Sequence, residues 1–174
     1  MIKAIGKGSL ASILAVALHV VRVVVWIAFA GLSAAVVAIP FIPAVARLVA
    51  GAEGVSVDAD IDIDAGDFVE VLKHFITFGV LLYVVERLLE ILKTLRFGSP
   101  FVKENADRFR RLGWALLIGE GSKIVIGILA AIFDADVDGI GLDGITLIAV
   151  VAVFVLSEVF REGARMKEEQ DLTV

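Results

Sequence analysis

The chain has 174 residues, a hydrophobic fraction of 59%, a mean hydropathy of +0.95 and a formal net charge of −5. Soluble domains sit nearer half apolar, so this excess has to face something other than water. With no cysteine, disulfides, thiolate catalysis and Cys-based metal sites are excluded, and two histidines argue against a multi-histidine metal site within one chain.

Residues 1–9 are polar and basic. From Leu10 to Ala46 the chain is largely apolar, with His19 and Arg22 its only ionisable residues. A signal peptide competes for this stretch, since Lys3 and Lys7 precede the run and Gly31-Leu32-Ser33-Ala34-Ala35 offers small residues for cleavage. The run is too long for that, and Arg22 interrupts it. The stretch is therefore read as an uncleaved first span over 12–40, ended by Pro40 and Pro43, which lack the donor a helix needs.

Residues 48–67 read as a first external loop. Its VSVDADIDID run alternates apolar and polar residues, the period of a strand. The second span is expected over 69–95, with Glu86, Arg87, Glu90 and Lys93 in its last part.

The stretch from Phe97 to Leu117 is the long polar joint of the chain. Ser99-Pro100 predicts a helix start at Ser99, because serine caps free N–H groups and proline suits the first helical position. Phe101, Asn105, Phe109 and Leu112 recur at helical spacing, which predicts an interfacial helix feeding a third span over 112–133. Trp114 falls at the headgroup level, and Glu120 and Lys123 lie inside the span.

The second acidic segment, DADVDGIGLDG, also alternates at first and is expected to pair with the first loop. Asp134, Asp136, Asp138 and Gly139 match the opening of a calcium loop, but its twelfth position is Ile145 where a bidentate glutamate is required. A solvated acidic surface is the better reading. The fourth span is expected over 141–160, ending in Glu158, Arg161, Glu162 and Arg165, with a polar tail after it.

The fold class is thus all-α integral membrane. One domain carries four transmembrane helices, with a small extracytoplasmic β-hairpin or sheet from the two acidic loops. Bases concentrate in 87–111, at Lys3 and Lys7, and at Arg161, Arg165 and Lys167, all on one side of four crossings. The positive-inside rule puts both termini and the joint in the cytoplasm and the acidic loops outside the inner membrane.

Ionisable residues within spans usually face the protein interior and pair. Glu86 and Glu120 each lie about nine residues from the inner end of their span, hence ~13 Å deep at matching height. Arg22, Glu86, Glu120 and Lys123 are expected to form a buried charge cluster, with His19, Glu90 and Glu158 near it. Such a cluster can lock helices in register, carry protons or ions, or hold a lipid headgroup or small ligand. No nucleophile–base motif, HExxH or phosphate-binding glycine loop is present, so neither enzyme activity nor a cofactor is expected.

Two motifs carry a family resemblance. Gly98-Ser99-Pro100-Phe101, then Glu104-Asn105, Arg108, Arg111 and Gly113-Trp114, resembles the pattern of the bacterial family DUF2975. Glu158, Phe160, Gly163 and the closing Asp171-Leu172-Thr173-Val174 resemble that family's carboxyl end. The resemblance implies a four-helix inner-membrane protein of uncharacterised function. The family's genes often lie beside a small helix-turn-helix regulator, which implies membrane-linked control of that regulator and no direct contact with nucleic acid.

The motif residues then form a cytosolic docking surface. Pro100-Phe101 is expected to pack with the tail, and Glu104 or Asn105 to hold Arg161 or Arg165 of the fourth helix. The rival expectation is a transporter or channel subunit that uses the intramembrane carboxylates. It would need homo-oligomers, because four helices enclose little space.

Overall fold

A computed structural model describes residues 10–38, 41, 65–97 and 100–172. Four helices account for almost all of them: α1 (Leu10–Ala38), α2 (Ala65–Phe97), α3 (Lys103–Phe133) and α4 (Gly144–Asp171). Each contains a stretch long and apolar enough to cross a membrane. At ~1.5 Å per residue their 28 to 33 residues run to ~42–50 Å, beyond the ~30 Å hydrocarbon core, so every helix projects from it. The outer surface agrees: Val20, Ile27, Ile128, Ile148 and Val151 are all more than half exposed. Side chains of this kind, over so much surface, are solvated by lipid. This is a multi-pass membrane protein.

The helices pack in chain order, α1 on α2, α2 on α3 and α3 on α4. Substantial packing between other pairs is absent among the described residues, so the arrangement is an open row of antiparallel helices. Phe29 meets Phe75 edge-on with centroids 5.1 Å apart at the α1–α2 contact. Small residues let α3 approach its neighbours. Gly119 faces Val80 of α2, and a Cβ on Gly113 would lie 3.0 Å from Phe154 Cζ of α4.

The joint between the second and third spans differs from the expected one. The helix begins at Lys103, with Val102 extended at its cap position and no side-chain cap bond. Ser99 lies outside the described residues. The Pro100 carbonyl instead accepts from Val102 N–H and from the side chain of Asn105, which holds the entry to the helix. There is also no separate interfacial helix, since Lys103 to Phe133 is one continuous rod. At the other end, α4 runs on through the expected polar tail to Asp171.

The expected β-hairpin is not supported. No strand occurs among the described residues, and the 48–64 stretch lies outside them. The second acidic segment is a turn and extended segment that folds back along α3. Asp134 ends α3 in the left-handed conformation (φ 52°), which aspartate tolerates better than most residues. Val137 is then buried against Val69, Ile126 and Ala130, and Lys73 Nζ donates to the Asp138 carbonyl at 3.0 Å. Packing Ala135 and Val137, two residues apart, on the helices uses the alternation that suggests a strand.

Candidate functional site

The structure divides the expected charge cluster. Val80 against Gly119 and Thr94 bonded to Asn105 set the α2–α3 register. That register puts Glu120 level with Gly79 and Glu86 level with Gly113, seven residues or about 10 Å apart in height. The two carboxylates are therefore not at matching height. The expectation counted inward from residues 95 and 112, whereas α3 extends nine residues further to Lys103.

Arg22 falls on the α2-facing stripe of α1 with Ala15, Leu18, Val25 and Phe29. It makes no ion pair within the described residues, and neither does Glu86. His19 turns Nδ1 to the Ala15 carbonyl of its own helix, at 2.7 Å. Glu158 is exposed and pairs with Arg161 one turn on, at 2.6 Å.

The first of two real polar centres joins α3 to the start of α4. Glu120 is 4% exposed. Its carboxylate accepts from Lys123 Nζ at 2.9 Å and from the backbone N–H of Asp143. Asp143 caps α4, accepting from Ile145 N–H at 3.0 Å and Thr146 Oγ1 at 2.8 Å. The Thr146 hydroxyl, then the Ile145 N–H, hold the Asp143 carboxyl below its ordinary pKa. Lys123 also reaches the Gly141 carbonyl, at 3.5 Å. The fourth helix thus starts deep beside α3, with its free N–H end satisfied by carboxylates.

The second centre joins the basic ends of α2 and α3. Asn105 is fully buried. Thr94 Oγ1 donates its single proton to the Ile91 carbonyl at 2.7 Å and accepts from Asn105 Nδ2 at 2.7 Å. The second Asn105 N–H goes to the Pro100 carbonyl at 2.9 Å, and Asn105 Oδ1 accepts from Arg108 at 2.8 Å. Arg108 Nε also donates to Glu90 at 3.2 Å, which Arg87 holds from the other side at 2.6 Å. Arg87 stacks over Tyr83, and its Nε is buried with no hydrogen-bond partner among the described residues.

α4 closes over this end. Phe160 lies between Phe101 and Phe109, with centroids 5.4 and 4.8 Å away. Ser157 donates to the Ala106 carbonyl at 2.8 Å, and Phe101 lies on Gly163. Phe101 thus meets the last helix at Phe160 and Gly163, ahead of the polar tail with which it was expected to pack. Asn105 does not hold Arg161 or Arg165: its Oδ1 accepts from Arg108, and its N–H groups go to Thr94 and Pro100. Arg165 pairs with Glu162 and Glu169 along α4. Glu104 and Arg111 are exposed on α3.

A family model for a protein of unknown function, DUF2975, matches residues 69–174. The chain belongs to the DUF2975 family. No curated protein and no solved structure matches it. The DUF2975 match takes in both polar centres and leaves α1, with His19 and Arg22, outside.

Asp134, Asp136 and Asp138 do not form a metal-holding group, and no set of three or more His, Asp or Glu does so among the described residues. Sequence reasoning missed Thr94, Asp143 and Ser157 as partners. Asp143-Gly144 before an apolar run is a helix-start signal that would have found the α4 cap. Thr94 and Ser157 carry no signal of their own, since their role depends on which helix lies opposite.

Proposed function

We propose that this DUF2975 chain is a bacterial inner-membrane regulatory component with both termini in the cytoplasm. Its partner is a small cytosolic helix-turn-helix regulator, and the acidic loops lie outside. The positive-inside rule supports that orientation, since the basic residues of 87–111 and of the α4 end lie together.

One observation carries the reading. Phe101, Asn105 and Ser157 brace the α2–α3 joint against α4 from Ser157 to Gly163, and the last turns of α4 run on from that braced surface. A rigid, charged, solvated surface suits protein docking. Arg161, Arg165, Glu104 and Arg111 are its exposed charges. Co-expression of the full chain with the adjacent regulator and isolation of membranes tests this. The regulator is expected in the membrane fraction with wild-type protein and in the soluble fraction with Arg161→Glu/Arg165→Glu. Equal distribution with both overturns the docking reading.

The cavity beside Glu120 favours a second reading, a transporter or channel subunit. It requires proton or ion flux through reconstituted protein that falls in Glu120→Gln. Background-level flux in both proteins removes it.

A further inference from the structure

Among the described residues α1 packs substantially on α2 alone, and the family match, which begins at residue 69, leaves it outside. Hydrogen bonds pin α4 to α3 at Glu120 and at Ser157. On α1, by contrast, His19 and Ser33 turn back to carbonyls of their own helix, and an aromatic contact, Phe29 on Phe75, marks the seam with α2. Motion of α1 along α2 would leave the α2–α3–α4 contacts intact.

Two charges stand unused in this part of the bundle. Arg22 lies twelve residues from Leu10, ~18 Å along α1. Glu86 lies eleven residues from Phe97, ~16 Å along α2. Neither makes an ion pair within the described residues. Charges so deep in a span ordinarily find a partner. α1 carries no acidic residue, and beyond its first two turns α2 carries only Glu86 and Glu90. Glu90 is already held by Arg87 and Arg108. Glu86 is thus the carboxylate left for Arg22.

The two are one turn out of step. Counted along the antiparallel pair from Phe29 on Phe75, Arg22 stands in the same relation to Leu82, four residues or ~6 Å short of Glu86. Phe75, Gly79, Leu82 and Glu86 follow one another at spacings of four, three and four, along one face of α2. A one-turn step of α1 toward the basic end would bring Arg22 to Glu86 and carry Phe29 from Phe75 to Gly79. Gly79 has room to receive the ring, since a Cβ there would meet nothing within 4 Å.

We propose that α1 has two seats on α2 one helical turn apart: the one described, and a second closed by an Arg22–Glu86 ion pair. The second seat exchanges the edge-on contact of Phe29 with Phe75 for a pairing of two charges that the first leaves apart. One-turn steps of one packed element past another are an established form of switch.

The chain has no cysteine, so introduced pairs report without background. In native membranes treated with copper–phenanthroline, disulfide formation by Phe29→Cys/Phe75→Cys reads the first seat and by Phe29→Cys/Gly79→Cys the second. Both pairs should cross-link. Adding Glu86→Gln should lower the 29–79 yield at least fivefold without lowering the 29–75 yield, and the swap Arg22→Glu/Glu86→Arg should restore it. A 29–79 pair that fails to cross-link while 29–75 succeeds, a 29–79 yield unchanged by Glu86→Gln, or a loss that the charge swap does not recover would each overturn the proposal.

Discussion

Phe101 rests directly on Gly163. A Cβ at Gly163 would lie 2.5 Å from Phe101 Cδ1 and 2.9 Å from Cε1, closer than real atoms approach. The start of α3 can reach the end of α4 because residue 163 has no side chain.

Gly163→Ala should therefore displace Phe101 and separate it from Phe160. The displaced ring loses stacking worth about 0.5–1.5 kcal/mol, while alanine recovers up to ~1 kcal/mol of helix propensity. Stability should change little while the surface loosens. Limited proteolysis at residues 100–103 of purified protein measures this. Unchanged cleavage would mean that the ring finds another seat at no cost.

Asn105 is the hub of the α2–α3 joint, with its Oδ1 and both amide protons engaged. Asn105→Ala should cost about 1–3 kcal/mol, because the Thr94 hydroxyl loses its donor, Arg108 loses an acceptor and the Pro100 carbonyl keeps only the Val102 N–H. Asn105→Asp should also fail to rescue, since a carboxylate has no N–H to give Pro100. Thermal unfolding in detergent checks both; wild-type midpoints in either would show that water replaces the amide.

The four spans were legible because hydrocarbon leaves a coarse mark, namely long runs free of charge. Partner choice was not. Glu120 and Lys123 are three apart on one helix, so their pairing could be read off. That Glu120 caps a different helix could not, because it depends on the segment after Asp134 folding back along α3. The alternation of that segment was visible, but period two serves a strand and an extended chain packed on helices equally well. Asn105 stood out as a motif residue, yet its partner Thr94 is an ordinary helical threonine. Small shifts in where a helix begins decide such pairings, and boundaries are the weakest part of a sequence reading.

Glu120 separates two kinds of loss. Glu120→Leu removes the partner of Lys123 and the acceptor for Asp143 N–H together. A fully buried pair broken this way costs about 3–5 kcal/mol, and Lys123, at 29% side-chain exposure, is part-solvated, so about 2–3 kcal/mol is expected. Glu120→Gln keeps an acceptor for the N–H and should cost about 1 kcal/mol. Unfolding of the two variants in the same detergent measures the gap. Equal losses would mean that charge, not capping, is what Glu120 contributes.

Asp143 should make the start of α4 sensitive to acid. The Thr146 hydroxyl and Ile145 N–H hold its carboxyl below the ordinary aspartate value, so the folded state favours the charged form. A group depressed in this way stabilises fully above its unfolded pKa. The contribution then fades as pH falls through the ordinary aspartate range toward the lower folded value. Glu120 and Lys123 lie beside it, so the measurement belongs in a Glu120→Gln background, where Glu120 no longer titrates. There, hydrogen exchange at Ile145 and Thr146, corrected for intrinsic rates, should lose protection as pH falls through that window. Adding Asp143→Asn keeps a capping oxygen without a titrating proton. That variant should hold its protection nearly constant over the same range. If both lose protection in parallel, the acid sensitivity belongs to some other group, and the cap is not what senses pH.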